Sequence, residues 1–112
     1  MRRRTKQFAL RVVRLFRGLP RTGDAQVLGR QILRSGTPVG ANYRAVCLAR
    51  SRAEFLSKLG VVLEEADESV FWLELLVESE IVSSAKMQSL LDEANELVKI
   101  FGAARRTTRQ GG

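Results

Sequence analysis

The chain has 112 residues, of which 45% are apolar, 28% are charged and only two are proline. That composition forms one helix-prone domain and excludes a disordered chain. It carries 19 Lys/Arg against 12 Asp/Glu, a formal net charge of +7, with no histidine and a single cysteine, Cys47. One cysteine makes no intrachain disulfide and points to a reducing cytoplasm, and the lack of histidine excludes a His-activated nucleophile.

Four helices follow in chain order. The first is predicted over about residues 3–18, with Phe8, Val12, Leu15, Phe16 and Leu19 on one face, and it stops at Leu19-Pro20. Its Arg11, Arg14 and Arg17 interrupt any apolar core of a signal peptide, so it is read as the first helix of the mature protein. No apolar run approaches the ~20 residues that span a bilayer, which argues against a membrane partner. After the turn Arg21-Thr22-Gly23-Asp24, with Asp24 as expected N-cap, a second helix places Val27, Leu28, Gln31, Ile32 and Ser35 inward. Gly36, Pro38 and Gly40 predict a kink or a break before it resumes through Asn42, Tyr43 and Val46 to Arg50. A capping box, Ser51-Arg52-Ala53-Glu54, opens the third helix, whose core stripe is Phe55, Leu59, Val62, Leu63, Ala66, Val70, Leu73 and Val77. The fourth carries Met87, Leu90, Leu91, Ala94, Leu97, Val98 and Phe101 at nearly heptad spacing. The expected fold is all-α, an up-and-down four-helix bundle over residues 1–106 with a disordered tail over 107–112.

Charge divides sharply along these helices. Residues 1–52 hold thirteen Lys/Arg and one acid, Asp24, whereas residues 53–104 hold eleven acids against Lys58, Lys86 and Lys99. A fold that keeps the halves apart has a basic and an acidic face, suited to meeting a polyanion or stacking on copies of itself. Helical spacing sets Arg3, Lys6, Leu10, Arg14 and Arg17 opposite the core stripe of helix 1, as a ridge able to track phosphates or to stand in water. On helix 3, Val61, Phe71, Trp72 and Leu75 fall outside the core stripe and predict a self-association surface, the alternative being side chains tucked into the bundle's edges.

Other constellations carry less chemistry. Glu64, Glu65, Asp67 and Glu68, with Asp92, Glu93 and Glu96 on the next helix, broadly match the paired acidic motifs of an all-α Mg²⁺-dependent nucleotide pyrophosphatase. Glu64 and Glu68, however, point away from the core stripe, where a metal site needs inward carboxylates. A di-iron bundle needs Glu-x-x-His pairs that this chain lacks. Cys47 reads as a small buried hydrophobe. The run Gly36-Thr37-Pro38-Val39-Gly40 lacks the Lys and Ser/Thr of a phosphate loop.

The segment Leu33-Arg34-Ser35-Gly36-Thr37-Pro38-Val39-Gly40-Ala41-Asn42-Tyr43-Arg44-Ala45, followed by Ala49-Arg50-Ser51-Arg52-Ala53-Glu54-Phe55, resembles a known signature. With Trp72-Leu73 and a leucine-rich last helix, it is similar to the four-helix-bundle family encoded in bacterial 23S rRNA intervening sequences, also labelled S23 ribosomal proteins. The resemblance spans nearly the whole chain. Asn42-Tyr43-Arg44 is similar to one branch; other branches have Ile after the Asn and an acid where this chain has Ala45, and a Ser is more usual at Pro38. The resemblance implies a homo-oligomer, a ring of five bundles. It also implies kinship with the accessory protein of diversity-generating retroelements, which binds nucleic acid and a reverse transcriptase. It brings no catalytic residues, and the residues themselves point to no metal and no cofactor. The shared polar residues read as structural: Ser51 and Glu54 as caps, Arg34 and Asn42 as hydrogen-bonding partners across helices.

The sequence thus points to a non-enzymatic, cytoplasmic homo-oligomer, expected to be a pentamer. Arg3, Lys6, Arg14, Arg17 and Arg44 are its candidate contacts to RNA or DNA, with few aromatics free to read bases. The alternatives are a scaffold whose basic surface docks an acidic partner or its own acidic half, and the Mg²⁺-dependent pyrophosphatase.

Overall fold

Apolar residues at helical spacing bury themselves only by packing helix on helix, and four helices do so in the computed structural model, which describes residues 1–111. They are α1 (Arg2–Arg17), α2 (Gly23–Cys47), α3 (Arg52–Glu78) and α4 (Ser84–Gln110), with no strand among the described residues. Each helix packs on the next, while α1 and α4 touch sparingly. The result is an all-α four-helix bundle, 48 Å long and about 20 Å across. Phe8, Val12, Ile32, Val39, Val62, Ala66, Leu73, Leu76, Ala94 and Leu97 are wholly buried, and Phe101 closes the core near the end of α4.

Helix α2 is unbroken. Pro38 removes one backbone N–H and leaves the Arg34 carbonyl without its usual donor, yet the helix runs through it to Cys47. The expected break is therefore absent, and the glycines near it serve close packing against α1. A Cβ at Gly36 would lie 2.8 Å from Val12 Cγ2, one at Gly40 3.3 Å from the Thr5 carbonyl oxygen, and one at Gly29 2.6 Å from Leu19 Cδ1. Spaced seven and four residues apart, these three bare positions let α1 lie close against α2. Val27 is correspondingly not inward but 56% exposed, because Ala25 and Gly29 occupy the contact face.

The helix ends also differ in part from expectation. Thr22, not Asp24, is the N-cap of α2, and Asp24 sits in the first turn. There the Thr22 side chain and the Ala25 N–H hold its carboxyl below the usual range. Ser51 Oγ accepts from the Glu54 N–H at 3.0 Å, but the reciprocal half of the capping box is absent: the Glu54 carboxylate meets Lys58 Nζ at 2.9 Å instead. Residues 107–110, expected in a disordered tail, belong to α4. Arg52 holds them, donating from Nη2 to the Thr108 and Arg109 carbonyls at 2.7 and 2.8 Å, where the last turn has no intrahelical donor. Gly112, the last of that expected tail, lies outside the described residues.

Candidate nucleic-acid interface

With Phe8 and Val12 facing the core, the opposite side of α1 presents Arg3, Lys6, Leu10, Arg14 and Arg17 to solvent, as expected from their spacing. At 1.5 Å per residue this ridge is about 21 Å long. The close approach of α1 to α2 at Gly40 brings Arg44 across from its first two turns. Between the helices lies an open groove of ≈ 680 Å³, lined by Arg2, Arg3, Lys6, Gln7, Thr37 and Arg44. Three of the expected nucleic-acid-binding residues, Arg3, Lys6 and Arg44, therefore share one groove, while Arg14 and Arg17 continue the ridge beyond it.

Ion pairing leaves these cations free. The acidic half neutralises the arginines at its seams: Arg4 donates to both Glu93 oxygens at 2.7 and 2.8 Å, and Arg34 pairs with Glu68. The Arg4 bond holds the Glu93 carboxyl below its usual range and raises the Arg4 guanidinium in turn. Glu68 is lowered first by the Trp72 indole, which donates at 2.9 Å, and then by Arg34. Among the described residues, none of Arg2, Arg3, Lys6, Arg14, Arg17 or Arg44 enters a salt bridge. Sequence reasoning misses Arg2 in the groove, and also exposed Arg30, which lies seven and fourteen residues before Thr37 and Arg44. The helical period applied to α2 alone picks out Arg30; Arg2 needs the groove.

The remaining expected residues fall elsewhere. Arg34 and Asn42 both reach from α2 to α3, Asn42 donating to Glu65 Oε1 at 2.7 Å. Beneath Arg34, the buried hydroxyls of Ser35 and Ser69 lie 3.1 Å apart. On α3, Val61 and Phe71 are 46% and 53% exposed, and Trp72 and Leu75 are half-buried. The Phe71 and Trp72 rings meet edge to face at 4.9 Å. Of the acids, Glu65, Glu68 and Glu93 are bonded to the partners named above, and Glu64, Asp67, Asp92 and Glu96 are exposed. No group of His, Cys, Asp and Glu among the described residues is gathered to hold a metal. Cys47 is exposed, not a buried hydrophobe, because α2 turns it outward in its final turn. No helix among the described residues is long and apolar enough to cross a membrane.

The family model described as 23S rRNA-intervening sequence protein matches residues 1–103. The chain belongs to this family. A protein with unknown function from the S23 ribosomal protein family of Bacteroides thetaiotaomicron VPI-5482, known from a crystal structure, is 37% identical to this chain. The likeness covers 95% of this chain and 98% of that one, with a TM-score of 0.87. No curated protein matches it. Family and fold agree, and the residues of the Arg34–Phe55 signature are those that join α2 to α3 and start α3.

Proposed function

We propose that this chain is a non-enzymatic, cytoplasmic, oligomeric bundle that binds RNA or DNA through its basic α1–α2 face with little sequence preference. The observation that carries the reading is the row of unpaired cations, Arg3, Lys6, Arg14 and Arg17, with Arg44 across the groove. Ordinary solvated faces mix signs, whereas a row of one sign releases counterions when it meets phosphates. Little base preference is expected because Phe8 and Phe101 are buried and Tyr43 is stacked on Phe101 at 5.8 Å. Self-association through Val61, Phe71, Trp72 and Leu75 fits a ring, the pentamer that the family resemblance implies, since identical heterologous interfaces close without leaving an apolar face open.

The acidic α3–α4 half supports a second reading, in which the basic face docks an acidic partner or a neighbour's acidic half. A salt series separates the two. Replacing Arg3, Lys6, Arg14 and Arg17 together with Gln keeps the bundle folded, since all four face outward. Removing one cation that pairs with a phosphate lowers the slope of log K against log salt by about 0.7 to 0.9. A parent protein that binds neither RNA nor DNA at low salt, with its oligomer intact, rules out the nucleic-acid reading.

A further inference from the structure

The up-and-down path brings the start of α1, the end of α2, the start of α3 and the end of α4 to one end of the 48 Å bundle. Backbone and side-chain packing fix that meeting. The Thr5 backbone lies against Gly40, and Tyr43 stacks on Phe101. Arg52 holds the last carbonyls of α4. The Arg105 guanidinium covers Gly60, where a Cβ would be 3.4 Å from Nη2. Residues 1–8, 40–60 and 101–110 make up this end. They hold eleven Lys/Arg and one acid, Glu54, which is paired with Lys58; from outside these segments Glu93 takes up Arg4 and Glu65 takes up Asn42. The rest of the chain holds eight Lys/Arg and eleven acids. The division of charge along the sequence therefore becomes one between a basic end and a more acidic remainder, and Arg109 joins Arg105 and Arg106 there because α4 continues to Gln110.

We propose that nucleic acid docks on this basic end, more than along the length of the α1 ridge, and that the ligand is the paired phosphate backbone of a duplex. The inference rests on the nucleic-acid reading above and names its seat and substrate class. The far end, by contrast, is of mixed sign, with Arg14, Arg17 and Arg21 at the end of α1 and the turn after it and Glu74, Glu78 and Glu80 at the end of α3. At the basic end no wholly exposed aromatic offers a stacking platform: Phe8 and Phe101 are buried, and Tyr43 and Phe55 are half-buried. Binding there draws on charge alone, and a duplex presents the densest row of phosphates. At one charge per ~1.7 Å, a duplex laid across an end about 20 Å wide passes about twelve phosphates, enough to meet the nine cations left once Arg4 and Lys58 are paired.

The test compares two variants with equal loss of charge. One carries Arg50→Gln, Arg106→Gln and Arg109→Gln at the basic end; the other carries Arg14→Gln, Arg17→Gln and Arg21→Gln at the far end. All six side chains are exposed. Each protein is titrated with a DNA duplex of about 20 base pairs, with the matching single strand and with poly-glutamate, across a salt series. The basic-end variant loses roughly 2 to 3 from the duplex salt slope and the far-end variant less than about 1. Should the basic-end triple lose helicity, the Arg106→Gln, Arg109→Gln pair reads the same effect. Equal or larger loss in the far-end variant overturns the proposal while leaving nucleic-acid binding in place. So does a parent that prefers the single strand or poly-glutamate. A parent that binds neither duplex nor single strand overturns both readings.

Discussion

At the scale of single residues, Ser51 supplies an N-cap that removing its hydroxyl tests directly. Ser51→Ala frees the Glu54 N–H and is expected to cost about 1 kcal/mol. Glu54→Ala removes only a surface ion pair and a first-turn acid, about 0.5 kcal/mol. Denaturant midpoints at unchanged slope measure both, and full stability in Ser51→Ala contradicts the assignment. Glu93 gives a pH signature. Its folded pKa is lowered by Arg4, so its contribution is complete above the unfolded value of about 4.3 and is lost as pH falls through the lower folded value. Glu93→Gln is therefore less stable than the parent near neutrality, and the gap closes in acid; a gap constant down to strongly acid pH contradicts the Arg4 pairing. The cap is legible because Ser-x-x-Glu is a local motif. Glu54's turn toward Lys58 and Glu93's pairing with Arg4, 89 positions away, are not, because each depends on which side chain stands nearest once the helices are packed.

At the scale of helices, the seam between α1 and α2 is set by absence of side chains. Gly36→Ala drives a Cβ to within 2.8 Å of buried, β-branched Val12. That overpacking outweighs the ~1 kcal/mol that replacing a helical glycine normally contributes, for a net loss of about 1–2 kcal/mol. Gly102→Ala meets only the flexible end of Arg106 at 3.5 Å and gains up to about 1 kcal/mol. Thermal unfolding of both variants checks this, and a stabilised Gly36→Ala contradicts the close seam. The helices themselves are readable from apolar spacing, with the stripes of Phe8, Leu59, Ala66, Leu73, Met87 and Leu97 all buried. The meaning of Gly36 and Gly40 is not: beside Pro38 they carry the local signature of a break, and only the opposing helix shows them to be points of close approach.

At the scale of the molecule, the sequence displays two charged halves, and the fold converts them into a basic end and a more acidic remainder. That conversion is illegible as long as residues 107–110 are expected to be disordered, since Arg109 then has no fixed place. The proposed assembly would multiply the effect. In any cyclic ring all copies point the same way along the axis, so every basic end lies on one rim, and a long ligand meets several at once. Trp72→Ala, which removes the largest side chain of the α3 surface, is expected to weaken the oligomer without unfolding the bundle. The most direct measurement is mass by light scattering at micromolar protein, alone and with a nucleic-acid duplex, at low and high salt. The account predicts an oligomer alone, a heavier complex at low salt, and return to the same oligomer at high salt. A monomer alone contradicts the assembly, and an unchanged mass at low salt with duplex present contradicts the central claim.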